Sequence, residues 1–175
     1  MFDSRTRYFR PRFCPACGEQ LTKQEDYSAC PKCHRRHYQN AKPCVGALVV
    51  REGLLLLARR RNDPFAGWWD IPGGFVHVYE HPEQAVRREI LEETGLHVEP
   101  KKLVGVYVDD YQFGDDIHAT LSLFYECVIL DGIMRAGDDA IDLNWFPVES
   151  LPANIAFESA RKMLVDWRRE RPTRR

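Results

Sequence analysis

Three glutamates lie close together in the segment "GGFVHVYEHPEQAVRREILEETGL", which spans residues 73–96. Glu89, Glu92 and Glu93 are three and four positions apart, so on a helix they share a face within an arc of roughly 100°. Like charges at this spacing destabilise a helix, and the helix dipole disfavours negative charge at the C-terminal end. A bound cation relieves both penalties, and carboxylate oxygens suit Mg²⁺ or Mn²⁺. The pattern predicts a divalent-metal site, and a solvated acidic face is the alternative.

A second cluster consists of two Cys-X-X-Cys pairs separated by twelve residues, namely Cys14, Cys17, Cys30 and Cys33. This spacing lets each tight turn direct two thiolates at one ion, and two turns complete a tetrahedral site. Gly18 tolerates the positive φ that such a turn needs. A segment of about 35 residues buries too little to fold alone, so zinc would supply folding energy. The spacing predicts a structural zinc ribbon; His34 and His37 are alternative ligands.

Length and composition allow one full core with a small appendage, because the chain has 175 residues, of which 44% are hydrophobic. Residues 1–45 contain nine Lys and Arg against four Asp and Glu, whereas the remainder contains 16 against 22. This asymmetry predicts two functional parts.

No apolar run approaches the roughly 18 residues that a membrane span needs. The arginine-rich start lacks a hydrophobic signal region, so we expect a cytoplasmic protein with reduced thiols and no membrane partner. Cys44 and Cys127 then read as buried thiols.

Secondary structure around the glutamates follows from capping residues. Pro82 suits the first turn of a helix and Gly95 the left-handed residue after its end, which predicts a helix from about His81 to Thr94. Val86 and Ile90 would face the core. Apolar runs on either side of Glu52-Gly53 predict a hairpin, and β-rich stretches follow at 102–113, 119–130 and 143–148. A second helix is predicted at residues 152–171.

The spacing of the specified residues around the glutamates resembles the Nudix box; they are Gly74, Glu80, Arg88, Glu89, Glu92, Glu93 and Gly95. The preceding stretch "LLLARRRNDPFAGWWDIPGG" extends the resemblance to about residues 45–150. The resemblance implies an α/β fold, a Nudix α/β/α sandwich with a mixed β-sheet, preceded by a small zinc ribbon. We therefore expect a zinc ribbon over residues 1–40 and a Nudix hydrolase domain over 41–175. Many relatives have an acidic residue in place of His77 and a glycine in place of Tyr79.

The resemblance implies hydrolysis of the pyrophosphate bond of a nucleoside diphosphate derivative with Mg²⁺ or Mn²⁺ as cofactor. Glu89 and Glu93 would be the principal metal ligands, Glu92 a ligand or general base, and the carbonyl of Gly73 a further ligand. In the supporting set, Glu80 and Arg88 pair across the start of the helix, and Gly74 and Gly95 shape its two ends.

Substrate contacts are predicted outside the box. One arginine of the run 59–61 can bind phosphate oxygens bidentately, and Arg60 is the candidate. One of the aromatic residues Phe65, Trp68 and Trp69 either stacks on a nucleobase or packs in the core, with Trp69 as the candidate. An acidic loop offers a general base from Asp138, Asp139 and Asp142, with Asp139 as the candidate.

The substrate class depends on a comparison within the family. A zinc ribbon joined to a Nudix domain resembles the bacterial NADH pyrophosphatases, but their motif beginning Ser-Gln-Pro-Trp-Pro-Phe is missing from "DDYQFGDDIHATLSLFYECV". We therefore expect ADP-ribose or FAD as substrate, with release of AMP, and NADH as the alternative.

A different class of function starts from the arginines of the head. A nucleic-acid-binding zinc ribbon would accompany RNA-cap hydrolysis or ligand sensing, but no recognised DNA-reading unit is present and three intact glutamates favour catalysis. A ribbon that supports the fold or a homodimer is preferred to one that binds nucleic acid.

Overall fold

The computed structural model describes residues 8–137 and 139–171, apart from the side chain of Phe113. Its contacts divide the chain into two compact units. The first comprises the chain up to Ala41 together with Asp110–Ala119, and the second comprises Lys42–Asp109 with the chain from Thr120 onward. The first unit therefore joins two segments that are distant in sequence. The division into a zinc ribbon at 1–40 and a Nudix domain at 41–175 stays a prediction.

The first unit contains a three-stranded antiparallel sheet of β1 (Thr22–Lys23), β2 (Tyr27–Ala29) and β3 (Arg36–Tyr38). These strands are too short to enclose an apolar core. Among the described residues of this unit, only Cys14, Ser28 and Cys30 are buried. Its interior is therefore made largely of cysteine side chains.

The second unit is built on a seven-stranded sheet. The strands of this sheet are β4 (Lys42–Arg51), β5 (Leu54–Arg60), β6 (Trp69–Asp70), β7 (Gly73–Phe75), β8 (Leu96–Phe113), β9 (Asp116–Gly132) and β10 (Ala140–Pro147). Residues 110–113 of β8 and 116–119 of β9 are assigned to the first unit. The main order is β10-β5-β4-β9-β8, with β6 beside β5 and β7 beside β4. Because β4 runs parallel to β9 and antiparallel to β5, the sheet is mixed, as predicted.

Two helices, α1 (Pro82–Thr94) and α2 (Glu158–Glu170), cover opposite faces of this sheet. Alternate residues of a strand point to opposite faces. Accordingly, Val49 and Leu56 belong to the cluster with Ile90 of α1, whereas Leu48 belongs to the cluster with Met163 of α2. The fold class is confirmed: it is an α/β/α sandwich of the α/β class.

The boundaries of α1 and the hairpin of β4 and β5 agree with the predictions. The predicted start of the second helix at residue 152 is wrong, because α2 begins at Glu158. Residues before it form tertiary hydrogen bonds instead: Trp69 N–H donates to the Asn154 carbonyl at 3.0 Å, and Ala156 N–H donates to the Trp69 carbonyl at 2.8 Å. Residues 154–156 are therefore paired with β6 and are not helical, although the sequence pattern favours a helix there.

Of the two cysteines outside the cluster, Cys127 is buried as predicted, but Cys44 is only half-buried. No helix in the described part of the chain is both long and apolar enough to cross a membrane.

Candidate functional site

Helix α1 is held at both ends by specific caps. At its start, His81 accepts from Glu83 N–H and the Gln84 side chain accepts from His81 N–H, which forms a capping box. At its end, Gly95 has φ 71°, and a Cβ there would lie 2.5 Å from the Ile133 carbonyl oxygen. The predicted left-handed glycine is confirmed, and only glycine fits.

The last turn of α1 also receives hydrogen bonds from a loop that leads to β10. Arg135 N–H donates to the Thr94 carbonyl at 2.8 Å, and Gly137 N–H donates to the Glu93 carbonyl at 2.9 Å. These donors satisfy carbonyls that a helix end leaves unpaired. They also offset part of the negative dipole beside the glutamates.

Strand β7 brings the backbone of Gly73 to the glutamates. Ala47 N–H donates to the Pro72 carbonyl and Val76 N–H to the Pro43 carbonyl, so the opposed residues Gly46 and Gly73 form a non-hydrogen-bonded pair. The N–H and carbonyl of Gly73 therefore point away from β4, and the N–H donates to Glu93 Oε2 at 2.9 Å. Its carbonyl faces the same side, where a metal ligand was predicted.

The two glycines allow this close approach. A Cβ on Gly73 would lie 2.1 Å from the Val45 carbonyl oxygen, and a Cβ on Gly74 would lie 2.5 Å from the carboxyl carbon of Glu89. Side chains at either position would force β4 and β7 apart or displace the Glu89 carboxylate.

Arg88 connects the loop before α1 to two of the glutamates. It binds both carboxylate oxygens of Glu80 at 2.8 and 2.9 Å, Glu89 at 2.6 Å and Glu92 at 3.1 Å. It also donates to the Phe75 carbonyl at 3.0 Å. The predicted Glu80–Arg88 pair is present, and its hydrogen bonds lower the pKa of Glu80 to about 2.

Glu93 lies in a different electrostatic environment. Burial, together with the negative charges of Asp70, Glu89 and Asp139, raises its pKa to about 8 despite the hydrogen bond from Gly73 N–H. Burial also raises the pKa of Glu89. Within residues 8–137 and 139–171, Glu93 has no ion-pair partner. A buried carboxylate among like charges and without a counter-ion is suited to a divalent cation.

The three glutamates do not form a closed ligand set. The side chain of Glu92 is 58% exposed and pairs with Arg88, whereas Glu93 is directed at Gly73. In the described part of the chain, no set of three acidic residues has its carboxylate oxygens within 4.8 Å of one another. The arrangement fits Mg²⁺ or Mn²⁺ that keeps several water ligands, and the protein residues that could contact it are Glu89, Glu93 and the Gly73 carbonyl.

The three predicted substrate contacts lie in different environments. Arg60 donates to the Pro64 carbonyl at 2.8 Å and to Asp70 at 3.3 Å, so its guanidinium is already engaged. Trp69 packs edge-on against Phe146 with ring centroids 4.8 Å apart. Asp139 is exposed, accepts from the Asn62 side chain at 3.1 Å and acts electrostatically on Glu93.

Asp70 near the site was not predicted, whereas Trp68 was one of the three aromatic candidates. Asp70 follows Trp69 on β6, and burial raises its pKa to about 6 although Arg60 opposes the shift. Trp68 is 39% exposed, unlike its half-buried neighbour Trp69. Strand alternation could have separated the two tryptophans if the phase of β6 had been known.

The cysteines of the first unit meet as predicted. All four sulfur atoms lie within 4.8 Å of one another, with Sγ–Sγ distances of 3.6 Å for Cys14–Cys33 and 3.5 Å for Cys17–Cys30. A tetrahedron with metal–sulfur bonds of about 2.3 Å has edges of similar length. His37 Nε2 lies 3.5 Å from the sulfur of Cys14, beside the four sulfurs.

The two cysteine turns share one backbone pattern. Gly18 N–H donates to the Cys14 carbonyl and His34 N–H donates to the Cys30 carbonyl. Both donors have positive φ, 73° for Gly18 and 60° for His34. His34 therefore shapes the second turn, as Gly18 shapes the first. The cluster has the geometry of a small zinc site.

Comparison with known proteins assigns the chain to a family. Residues 41–167 match the model of the NUDIX domain. The chain is similar to an ADP-ribose pyrophosphatase of Methanocaldococcus jannaschii, with 36% identity over 134 residues that cover 77% of each chain. It is also similar to the NAD-capped RNA hydrolase NudC of Vibrio cholerae, with 32% identity over 158 residues. That alignment covers 81% of this chain but only 51% of NudC, so the chain spans about half the length of that relative.

A solved structure agrees with these matches. The crystal structure of a NUDIX hydrolase from Nitrosomonas europaea is similar with a TM-score of 0.77 and 27% sequence identity, and the alignment covers 93% of this chain and 95% of that one. With its sandwich fold, its box of glutamates around Gly73 and the domain match over 41–167, the chain belongs to the Nudix family and is a Nudix hydrolase.

Proposed function

We propose that this chain hydrolyses the pyrophosphate bond of ADP-ribose with Mg²⁺ or Mn²⁺, releasing AMP and ribose 5-phosphate. The observation that carries the proposal is the buried Glu93 carboxylate, which is held by Gly73 N–H and surrounded by the charges of Asp70, Glu89 and Asp139. Such a group needs a cation, and the pyrophosphate of a nucleotide derivative needs the same cation to offset its own charge.

The metal residues in this proposal are Glu89, Glu93 and the Gly73 carbonyl, with Glu92 as a further ligand or general base. A bound divalent ion would neutralise phosphate charge and lower the pKa of an attacking water. Arg88 positions Glu89 through a hydrogen bond of 2.6 Å and ties it to Glu80. Gly74 leaves room for the Glu89 carboxylate.

Proton transfer is assigned to a carboxylate beside the pyrophosphate. Water attacks one phosphorus atom, its oxygen forms the new bond to phosphorus, and the bridging P–O bond breaks. Glu92 and Asp139 are the candidates that accept the proton of the water. Asp139 is exposed and lies near enough to Glu93 to raise its pKa.

ADP-ribose is preferred among nucleotide substrates because of the relative from Methanocaldococcus jannaschii, which is named an ADP-ribose pyrophosphatase and matches 77% of each chain. FAD is the next candidate of the same chemistry. The similarity to NudC supports a second candidate, NADH or an NAD-capped RNA, over the 81% of this chain that aligns. The activity of the longer NudC protein is therefore a second proposal for this chain.

For the first unit we propose a zinc ion bound by Cys14, Cys17, Cys30 and Cys33. Four thiolates at tetrahedral spacing favour zinc. The unit buries little else, so the ion would stabilise the fold of a ribbon spanning about residues 1–40, ahead of a Nudix domain at 41–175.

Product analysis tests the proposal. Purified protein with Mg²⁺ or Mn²⁺ is incubated with ADP-ribose, FAD, NADH, NAD-capped RNA and nucleoside triphosphates, and products are separated by chromatography. We expect AMP from ADP-ribose at the highest kcat/KM. In Glu93→Gln, kcat should fall roughly a thousandfold, because several kcal/mol of metal-dependent stabilisation are lost.

The matched control is Glu83→Gln on the same helix, since Glu83 pairs only at long range with Arg87, at 3.9 Å. It should retain kcat. Near-normal turnover by Glu93→Gln would overturn the metal assignment. A higher kcat/KM for NAD-capped RNA than for ADP-ribose would replace the first candidate by the second.

A further inference from the structure

Residues 61–68, which connect β5 to β6, expose two aromatic rings to solvent. Phe65 is 37% exposed and Trp68 is 39% exposed, and their ring centroids are 5.4 Å apart with an interplanar angle of 48°. We name this surface the aromatic pair. Two neighbouring exposed rings are a natural stacking surface for a planar ligand.

The loop that carries the aromatic pair is fixed by its own arginines. Arg59 Nε donates to the Gly67 carbonyl at 2.9 Å, and Arg60 Nε donates to the Pro64 carbonyl at 2.8 Å. Backbone hydrogen bonds join Arg60 N–H to the Trp68 carbonyl and Gly67 N–H to the Arg60 carbonyl. The rings are therefore held in place before any ligand binds, which reduces the entropy cost of binding.

Phe65 adopts a conformation that costs energy. Its φ is 68°, a value that bulky residues rarely take. The ring packs edge-on against Phe157 with ring centroids 5.3 Å apart, and the Arg60 guanidinium lies over the Phe157 ring, 4.8 Å from its centroid. These contacts hold Phe65 in the strained conformation although its ring stays exposed.

The aromatic pair is connected to the proposed metal residues through Asp70. Trp68 and Asp70 are two residues apart along an extended segment, so their side chains share one face about 7 Å apart. Asp70 in turn acts electrostatically on Glu93. At the other end of the loop, Asn62 binds the Asp139 carboxylate at 3.1 Å. The loop that carries the rings is therefore joined at both ends to carboxylates, Asp70 and Asp139, that act electrostatically on Glu93.

Trp69 cannot share this role. It points to the opposite face of β6, where it packs against Phe146 and its backbone pairs with Asn154 and Ala156. The alternation assigns packing to Trp69 and leaves Trp68 available for a ligand.

We infer that Phe65 and Trp68 form the subsite that binds the nucleobase of the substrate, and that Arg60 is a positioning residue that locks their loop onto Asp70 rather than a phosphate ligand. The inference rests on the proposed function for the identity of the substrate. It predicts tighter binding of substrates and products that carry a nucleobase than of those that do not.

Calorimetry with the two product halves tests the subsite in the Mg²⁺-loaded protein. AMP carries the base, whereas ribose 5-phosphate does not. Trp68→Leu should raise the Kd for AMP roughly tenfold, as expected for the loss of one base–aromatic stack, and leave the Kd for ribose 5-phosphate unchanged. Trp68→Tyr should restore most of the affinity, because it keeps an aromatic face.

Phe13→Leu is the matched control, since Phe13 is an aromatic residue of the first unit that is 58% exposed. It should leave AMP binding unchanged. In kinetics, Trp68→Leu should raise KM for ADP-ribose with little change in kcat, the pattern of lost uniform binding. Unchanged AMP affinity in Trp68→Leu, or equal losses for AMP and ribose 5-phosphate, would overturn the subsite.

The role of Arg60 is tested by the amide exchange of its loop in addition to activity. Arg60→Met keeps the long side chain but removes the hydrogen bonds, so backbone amides of residues 61–68 should exchange faster with solvent and KM should rise. A phosphate ligand would instead weaken ribose 5-phosphate binding without a change in exchange, and that result would contradict the positioning role.

The two proposals fail separately. AMP binding that depends on Trp68 in a protein that does not hydrolyse ADP-ribose would support the subsite and overturn the proposed function. Hydrolysis of ADP-ribose by a protein whose AMP binding does not depend on Trp68 would support the proposed function and overturn the subsite.

Discussion

The cysteine cluster and the glutamate cluster differ in how completely the protein assembles them. Four sulfur atoms in the first unit lie within 4.8 Å of one another, while no three carboxylates among the described residues reach that spacing. The cysteines are nearly all that the first unit buries, whereas the glutamates lie at the edge of a unit with two apolar clusters. The cysteine cluster takes the place of an apolar core in the first unit, whereas the glutamate cluster lies beside the apolar core of the second unit.

This difference corresponds to two uses of a metal. A site closed by four soft ligands excludes water and substrate and stabilises a fold. A site with few hard ligands and a buried, unpaired charge keeps positions for water and phosphate. In the glutamate cluster, Arg88 forms ion pairs with Glu80, Glu89 and Glu92, whereas Glu93 has no cationic partner among the described residues.

The strongest test of the comparison removes a cysteine ligand. Cys30→Ser should abolish zinc binding, measured by metal analysis, and should remove the amide protection of residues 8–41, because structural zinc contributes about 10 kcal/mol or more to small domains. Amides of residues 42–109 should keep their protection. Cys44→Ser is the control, since Cys44 lies outside the cluster.

Zinc retained by Cys30→Ser would contradict the four-cysteine site. Loss of protection in both units would contradict their energetic independence, and with it the contrast between a metal that replaces a core and a metal that accompanies one.

A second test concerns the cost of the unpaired carboxylate. The pKa of Glu93 is raised from 4.5 to about 8 in the folded protein, so between these values the folded state binds more protons than the unfolded state, and stability falls as pH rises. In zinc-loaded protein without Mg²⁺, the melting temperature should drop by about 10 °C between pH 5 and pH 8, because this pKa shift costs about 3.5 kcal/mol over that range and each kcal/mol lowers the melting temperature by about 3 °C at this chain length.

Added Mg²⁺ should recover this loss at pH 8, because it binds the ionised carboxylate. Glu93→Gln should flatten the pH dependence and abolish the effect of Mg²⁺. A melting temperature that rises from pH 5 to pH 8 in the absence of Mg²⁺ would show that Glu93 is stabilised as an anion by the protein alone.

The smallest expected effect distinguishes the two cysteine turns. His34 has φ 60° where Gly18 has φ 73° in the matching turn, and a left-handed non-glycine residue costs roughly 1–2 kcal/mol. His34→Gly should therefore raise the temperature of zinc release slightly, after the added chain entropy of glycine is subtracted. Gly18→Ala should lower it. A lower temperature for His34→Gly would indicate that the His34 side chain itself supports the site.

Much of this architecture could be predicted from short-range patterns. The limits of α1 follow from Pro82 and Gly95, because capping depends on the residues at the helix ends. The Glu80–Arg88 pair and the meeting of the four cysteines also follow from short spacing, since the first spans eight residues across the start of α1 and the second needs two tight turns twelve residues apart.

Other features depend on contacts that no local pattern contains. The start of α2 at Glu158 is set by hydrogen bonds between β6 and residues 154–156. The membership of Asp110–Ala119 in the first unit joins segments about 70 residues apart or more. The roles of Trp68 and Trp69 depend on the phase of a two-residue strand, which the neighbouring strand β5 determines.

The amino-acid sequence by itself determined the chemistry of the two clusters, because thiolates and carboxylates select their ions by type and spacing. It also determined which turns and helix ends present them. Only the tertiary structure decided that Glu93 is buried against Gly73 without a counter-ion, that Arg60 is engaged by Asp70, and that Trp68 faces solvent. Burial and charge pairing are sums over groups far apart in sequence, so they exist only once the sheet has brought those groups together.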